Sequence, residues 1–454
     1  MEFCSLLFIY GFFPLSVLIF MLTPKKFRNG VLLAESALFC GLYGLSFLVI
    51  IISAVIWNYL FGLLIGSGKK QFLRRILLFF GIAGNLSLFF VFRISAFNVG
   101  LHRITAASAG ICFLTLNTIG YLLDVNRKKT DAERDIFRLG LYLMLFTKFP
   151  MGPIVNYKAF SAMLDNRDCN ISTLGGGIEL FIIGAAKKIF FADNLYALYD
   201  AVHSMNISEV SAISAWLGSA AYLLCLYFTL SGYSDMGAGL SQCFGFHFRK
   251  SFDYPCVSSG LGKFCRSWHI SVVKWFDEYF IAPLRKVNAS GIVQIAVFIL
   301  SRGIIGLWYS FRPGLFIWGC LIGSAAVIER RLAAKRPLRA TALIYTSIIL
   351  LVCTVFFFGD TLSYSLRYLF AMVGGTNNIA DTASLTLFKT YIVVFLVGLY
   401  ASTDLFRNVL IRSKKRIIKA AADILTPFFM LALLILCTAL ISGSGESAMM
   451  LNIL

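Results

Sequence analysis

The chain alternates long apolar runs with short polar connections. The runs lie near 3–22, 31–66, 76–92, 104–125, 136–149, 174–191, 210–231, 340–358, 385–401 and 420–441, and the one at 31–66 has room for two short helices. A helix needs about 20 apolar residues to cross a bilayer. In lipid such a run satisfies its own backbone polar groups only as a helix. The pattern predicts an all-α polytopic membrane protein of about ten to twelve transmembrane helices. No internal repeat and no separate soluble domain stand out, so residues 1–454 read as one integral-membrane domain.

Charge sets the orientation. Basic clusters sit at Lys25/Lys26/Arg28, Lys69/Lys70/Arg74/Arg75, Arg127/Lys128/Lys129, Arg330/Arg331/Lys335/Arg336/Arg339 and Arg412/Lys414/Lys415/Arg416/Lys419. Cytoplasmic loops concentrate Lys and Arg. Placing every cluster in the cytoplasm requires an even number of crossings between neighbours, and the apolar runs at both ends of the chain satisfy that. The run at 3–22 is followed by its charge, so it predicts a retained helix with an outside N-terminus rather than a cleaved signal peptide. Between Arg127 and Arg249/Lys250 three runs occur, an odd number. The run 174–191, with Gly175-Gly176-Gly177 and Lys187-Lys188, is the candidate for a re-entrant or tilted segment beside a central cavity.

Composition narrows the function. With 59% apolar and 14% charged residues, the chain is far from a disordered segment or a soluble enzyme. The net charge of +19 would suit a nucleic-acid partner. Its distribution in clusters between apolar runs points to membrane lipids instead, with no nucleic acid. The eleven cysteines are scattered, form no CxxC and have no histidine at metal spacing. They read as small apolar fillers, with no metal site and no disulfide framework.

Polar groups inside apolar regions are costly and mark candidate function. Thr229–Leu240 gathers Ser231, Tyr233, Ser234 and Asp235 with three glycines, either as a polar helix end or as a cavity wall. Residues 264–283 are amphipathic: Trp268 and Trp275 share a helix face, and Arg266, His269, Lys274, Asp277 and Glu278 are polar. Taken alone this is an interfacial helix with aromatic anchors. Residues 303–319 hold Pro313-Gly314 with Arg312 at the break, which reads as a turn between two spans or as a broken helix lining a site.

These stretches, in this order, resemble the bacterial branch of the membrane-bound O-acyltransferase family, which includes alginate O-acetyltransferases and the teichoic-acid D-alanyl transfer protein. The resemblance covers residues 10–320. It runs through Phe13-Pro14, Asn58-Tyr59-Leu60-Phe61-Gly62-Leu63, Gly110 to Val125, Lys148-Phe-Pro-Met-Gly-Pro-Ile-Val155, Ser231 to Met236, Tyr254-Pro255, Trp268-His-Ile-Ser271, Gly306-Leu-Trp308 and Phe316-Ile-Trp-Gly319. It implies a helical bundle around a central funnel, with residues 321–454 as additional C-terminal helices. It also implies a cytoplasmic acyl thioester (acyl-CoA or an acyl-carrier protein) as co-substrate with no bound cofactor. The acceptor would be a cell-envelope polymer or an extracytoplasmic acyl-accepting partner, and the location the bacterial cytoplasmic membrane.

One departure bears on chemistry. Members carry Gly-Leu-Trp-His-Gly, whose His is catalytic; this chain has Gly306-Leu307-Trp308-Tyr309-Ser310. The second family histidine is kept as His269. The histidine often found after the Trp-Gly pair is also missing, with Leu321-Ile322-Gly323-Ser324 in its place. A histidine suits general-base work at neutral pH. A tyrosine, with pKa near 10, suits hydrogen-bond donation to an oxyanion. The candidate catalytic residues are therefore His269 and Tyr309. The candidate substrate-binding residues are Asp235, Ser231, Tyr233, Trp268, Trp308, Arg312 and Arg266. Two functions follow: an active acyltransferase with His269 as base and Tyr309 as donor, or a pseudo-enzyme that binds lipid, acyl donor or a partner subunit without turnover. A transporter fits less well, because no repeated half and no series of intramembrane carboxylates is present.

Overall fold

The computed structural model describes residues 2–98, 104–149, 151–167, 169–286, 290–332, 339–403 and 416–444. Pro150 of the Lys148–Val155 segment and the basic residues Lys335, Arg336, Arg412, Lys414 and Lys415 lie outside the described residues. Every regular element among those described is helical. The chain opens with a π-helical turn, Phe8–Phe12, and α1 (Phe13–Leu22). Then come α2 (Arg28–Tyr43), α3 (Leu45–Ser67), α4 (Gln71–Asn98), α5 (Ile104–Asn126), α6 (Ile136–Met144), α7 (Tyr157–Asp165) and α8 (Ile171–Ala186). A second π-helical turn, Lys187–Ala192, leads into α9 (Asp193–His203), followed by α10 (Ala212–Cys243), α11 (Leu261–Ser267) and α12 (Ile270–Phe276). A third, Asp277–Ile281, leads into α13 (Ala282–Lys286), and then α14 (Gly291–Tyr309), α15 (Pro313–Leu332), α16 (Arg339–Phe358), α17 (Leu362–Met372), α18 (Thr382–Ala401) and α19 (Arg416–Ser444).

Seven helices among the described residues are long and apolar enough to cross a membrane: α3, α4, α10, α14, α16, α18 and α19. The run at 31–66 does fold as two helices, α2 and α3. The run at 136–149 stops as a helix at Met144 and ends in a 3-10 turn, Phe146–Lys148.

The chain divides into two compact units, Met1–Ala185 with Tyr233–Lys250 and Ala186–Gly232 with Ser251–Leu454. In the first, α3 and α4 are tied by a reciprocal amide pair. Asn58 Nδ2 donates to Asn85 Oδ1 at 2.8 Å and Asn85 Nδ2 returns the bond at 2.9 Å, both side chains being buried. The pair satisfies two polar groups inside apolar helices at no net charge. Lys148 is buried; its ammonium donates to the Tyr142 carbonyl at 2.7 Å and lies 4.3 Å from the centre of the Tyr142 ring.

Two expectations change along α8 and α10. Gly175-Gly176-Gly177 do not interrupt α8; the irregularity of that run is the π-helical turn at Lys187–Ala192. Gly177 serves packing. A β-carbon on Gly177 would lie 2.7 Å from the Gly239 carbonyl, and one on Gly239 would lie 2.5 Å from the Gly177 carbonyl. Such contact is possible only where neither helix carries a side chain. The polar stretch at 229–240 is likewise not a helix end, because α10 continues to Cys243. Its glycines let the helix run on against a neighbouring backbone, so they are not C-caps.

In the second unit α14 and α15 form a tight hairpin. A β-carbon on Gly306 would lie 2.0 Å from the Leu315 carbonyl, and one on Gly319 would lie 2.1 Å from the Arg302 carbonyl. The Pro313-Gly314 break is thus a turn between two packed helices, with Pro313 at the first position of α15, where its missing N–H has no intrahelical acceptor. Residues 264–283 do not form one interfacial helix. They break into α11, α12, a π-helical turn and α13, and Trp268 and Trp275 are both buried. The break falls at His269, whose backbone leaves the helical region.

Candidate active site

His269 stands between α11 and α12 with φ 45° and ψ 56°, in the left-handed region. A residue with a β-carbon resists that conformation by roughly 1–3 kcal/mol, so the surroundings must impose it. Backbone bonds on both sides do so. The Asp253 amide donates to the Ser267 carbonyl at 3.1 Å, and the Ile270 amide donates to the Ser251 carbonyl at 2.6 Å. The segment 251–253 thus clamps the chain on either side of His269. Tyr254, which follows that segment and precedes Pro255, is also left-handed, with φ 46°. Strained non-glycine residues of this kind cluster at functional sites.

Tyr309 is the last residue of α14. The close approach that Gly306 permits sets where α14 ends relative to α15, and hence where the phenol sits. The Tyr309 hydroxyl lies 2.6 Å from Nδ1 of His269. Both side chains are buried, at 5% and 2% exposure. Aromatic rings wall the pair. Phe252 lies 5.2 Å from the imidazole centre, and Phe357 lies 5.7 Å from the phenol. Trp318 packs edge-on against Phe357 at 5.1 Å, and Trp268 stacks on Phe264 at 5.3 Å. The Trp268 indole N–H is buried and makes no hydrogen bond of ordinary geometry. Burial among these rings pushes the His269 imidazole down from 6.5 to about 3. The ring is therefore neutral at pH 7, with one nitrogen donating and the other accepting.

The remaining candidates separate. Trp308, half-buried, shares the last turn of α14 with Tyr309. Arg312 follows that helix and is held by the Asp360 carboxylate at 3.1 Å and the Phe357 carbonyl at 3.3 Å, so it ties the α14–α15 turn to the end of α16. Arg266 is exposed on α11. Ser231 is buried on α10, and its hydroxyl has no hydrogen-bond partner. Tyr233 and Asp235 fall in the other compact unit. Two contributors escaped the sequence reading. Phe357 lies in an unmarked apolar run. Arg302 carried a readable signal, a charge inside the apolar stretch 291–309, but it stands just before the Gly303–Gly319 segment that drew attention. Among the described residues no group of three or more His, Cys, Asp or Glu is disposed to hold a metal ion.

Residues 135–334, which include His269 and Tyr309, match the family described as MBOAT, membrane-bound O-acyltransferase family. The chain belongs to this family. Two named relatives agree over most of its length and a third over less than half. A probable alginate O-acetylase of Azotobacter vinelandii is 29% identical over 427 residues, which is 88% of this chain and 85% of the relative. A peptidoglycan O-acetyltransferase of Helicobacter pylori is 26% identical over 418 residues, covering 81% and 79%. A teichoic acid D-alanyltransferase of Bacillus subtilis is 24% identical over 229 residues, covering 46% and 55%. As an MBOAT protein with seven apolar spans among its described residues, the chain is an integral membrane protein.

Proposed function

We propose that this protein transfers an acyl group, acetyl or another small acyl, from a cytoplasmic thioester to a hydroxyl of an exported cell-envelope polymer. The donor is acyl-CoA or an acyl-carrier protein. The hydroxyl belongs either to the polymer or to an extracytoplasmic partner that passes the group on. The membrane is the bacterial cytoplasmic membrane, with the N-terminus outside. The buried His269–Tyr309 pair at 2.6 Å carries this reading, and the names of the relatives, all acyl transfer to envelope polymers, support it.

The chemistry follows from one tautomer. With Nδ1–H donating to the Tyr309 oxygen, Nε2 holds the lone pair and acts as general base. The acceptor oxygen attacks the thioester carbonyl carbon while Nε2 takes its proton. The Tyr309 O–H donates to the carbonyl oxygen as negative charge develops there. The carbon–sulfur bond then breaks, and the departing thiolate takes the proton back from Nε2. Tyr309 thus orients the imidazole and stabilises the oxyanion, which are separate tasks in a Ser-His-Asp triad. Its own proton is never abstracted, so it need not be acidic.

The test uses purified protein in proteoliposomes with a labelled acyl thioester, following thioester loss and ester formation. Transfer by the parent that disappears in His269→Ala supports catalysis with His269 as base. No transfer by the parent, with transfer gained in Tyr309→His, overturns it in favour of a pseudo-enzyme that binds donor or lipid and lacks its base.

A further inference from the structure

We infer that the Arg302–Asp277 pair is a positioning device that sets the register of His269 against Tyr309; this rests on reading those two as the reacting pair.

Arg302 lies in α14, a membrane-length apolar helix, and is 7% exposed. Its Nη2 donates to Asp277 Oδ1 at 2.7 Å, and its guanidinium lies 4.7 Å from the centre of the Phe298 ring. Its Nε and Nη1 are buried without an acceptor. An arginine at such a place is expensive. An ion pair whose arginine is buried gains little over an apolar replacement, and the orphaned donors make it worse. The neighbouring helix nonetheless packs closely on its stem: a β-carbon on Gly323 would press on Arg302 Cβ and Cγ at 3.3 Å. Stability gives no reason for this residue, which leaves its geometry.

That geometry is specific. Arg302 and Tyr309 are seven residues apart on one helix, two turns along the same face and about 10 Å apart along the axis. Asp277 stands eight residues after His269, at the start of the π-helical turn that follows α12. Both α12 and this turn pack against α14. The two contacts therefore link the same two elements at two points, His269 to Tyr309 and Asp277 to Arg302, in antiparallel order. A single link lets α12 slide and pivot along α14. Two links fix both displacements. Asp277 opens a π-helical turn, a feature common at functional sites. Asp277 is half-exposed while Arg302 is covered, so the aspartate can be altered without opening the helix interface.

The experiment uses full-length protein in lipid nanodiscs with 15N-labelled histidine. Four histidines are present, and His269→Ala assigns the resonance. The variants are Asp277→Asn, Arg302→Met and Arg302→Lys. We expect Asp277→Asn and Arg302→Met to shift the His269 Nδ1 signal away from its Tyr309-bonded position, and Arg302→Lys to restore it in part. In the transfer assay kcat should fall by about 10- to 100-fold, as displacements near 1 Å do, while the donor KM changes less than about twofold. An unchanged His269 signal in Asp277→Asn overturns the proposal, whether or not Arg302→Met folds. If the parent shows no transfer at all, the functional reading fails while the nitrogen signal still decides the positioning role.

Discussion

Nδ1 of His269 meets the hydroxyl of Tyr309 at 2.6 Å across a separation of forty residues. One partner is held in a left-handed kink and the other at the end of an apolar helix. Neither residue alone makes a reactive group. The contact holds the imidazole and the phenol in a fixed direction relative to each other.

The two residues should act as one unit. His269→Ala is expected to lower acyl transfer by about 10²–10⁴-fold, and Tyr309→Phe by about 10²-fold. The double variant should be little worse than His269→Ala, because residues that share one step are not additive. Single-turnover transfer rates for the three variants check this. Multiplication of the two losses would mean independent roles.

The pH profile should lack a histidine inflection near neutrality. Burial lowers the His269 pKa to about 3, so the neutral, proton-accepting form persists as pH falls through 6.5. We expect kcat/KM to stay level from pH 8 to pH 5. A fall centred near pH 6.5 would show that the ring is solvated in the working protein.

Gly306→Ala should destabilise the second unit. Its β-carbon would enter the Leu315 carbonyl at 2.0 Å, and a backbone atom cannot rotate aside. Separation of α14 from α15 is expected to cost about 1–3 kcal/mol and to displace Tyr309. Thermal unfolding in detergent should show a lower Tm. Gly291→Ala serves as control, since nothing lies within 4 Å of its added carbon.

The Asn58–Asn85 pair offers a test remote from the site. Asn58→Leu or Asn85→Leu alone leaves one buried amide without its partner, and each is expected to cost about 0.6–2 kcal/mol. The double Leu variant should cost less than the sum, because both polar groups leave together. Denaturation midpoints of the three variants measure the coupling. Strict additivity would show that the amides do not depend on each other.

Most of the helical architecture was legible in the chain because lipid and hydrogen bonding leave an apolar run one solution. The runs at 31–66, 340–358, 385–401 and 420–441 became helices close to where the pattern put them. The family resemblance singled out Tyr309, at the position of the members' histidine, and it raised His269 above the other polar residues of the 264–283 segment. Local pattern failed where a residue's surroundings come from elsewhere. Gly177, Gly237 and Gly239 look like breaks, yet they mark where two backbones touch. Residues 264–283 have helical periodicity, yet tertiary hydrogen bonds from 251–253 force His269 out of the helix. Arg302 looks like a stray charge until Asp277 is brought beside it. The sequence by itself determined which segments are helical and which side chains can do acid–base chemistry, because both depend on neighbours within a turn or two. Only the tertiary structure decided which of those side chains meet, because a hydrogen bond of 2.6 Å between residues forty apart depends on how whole helices pack.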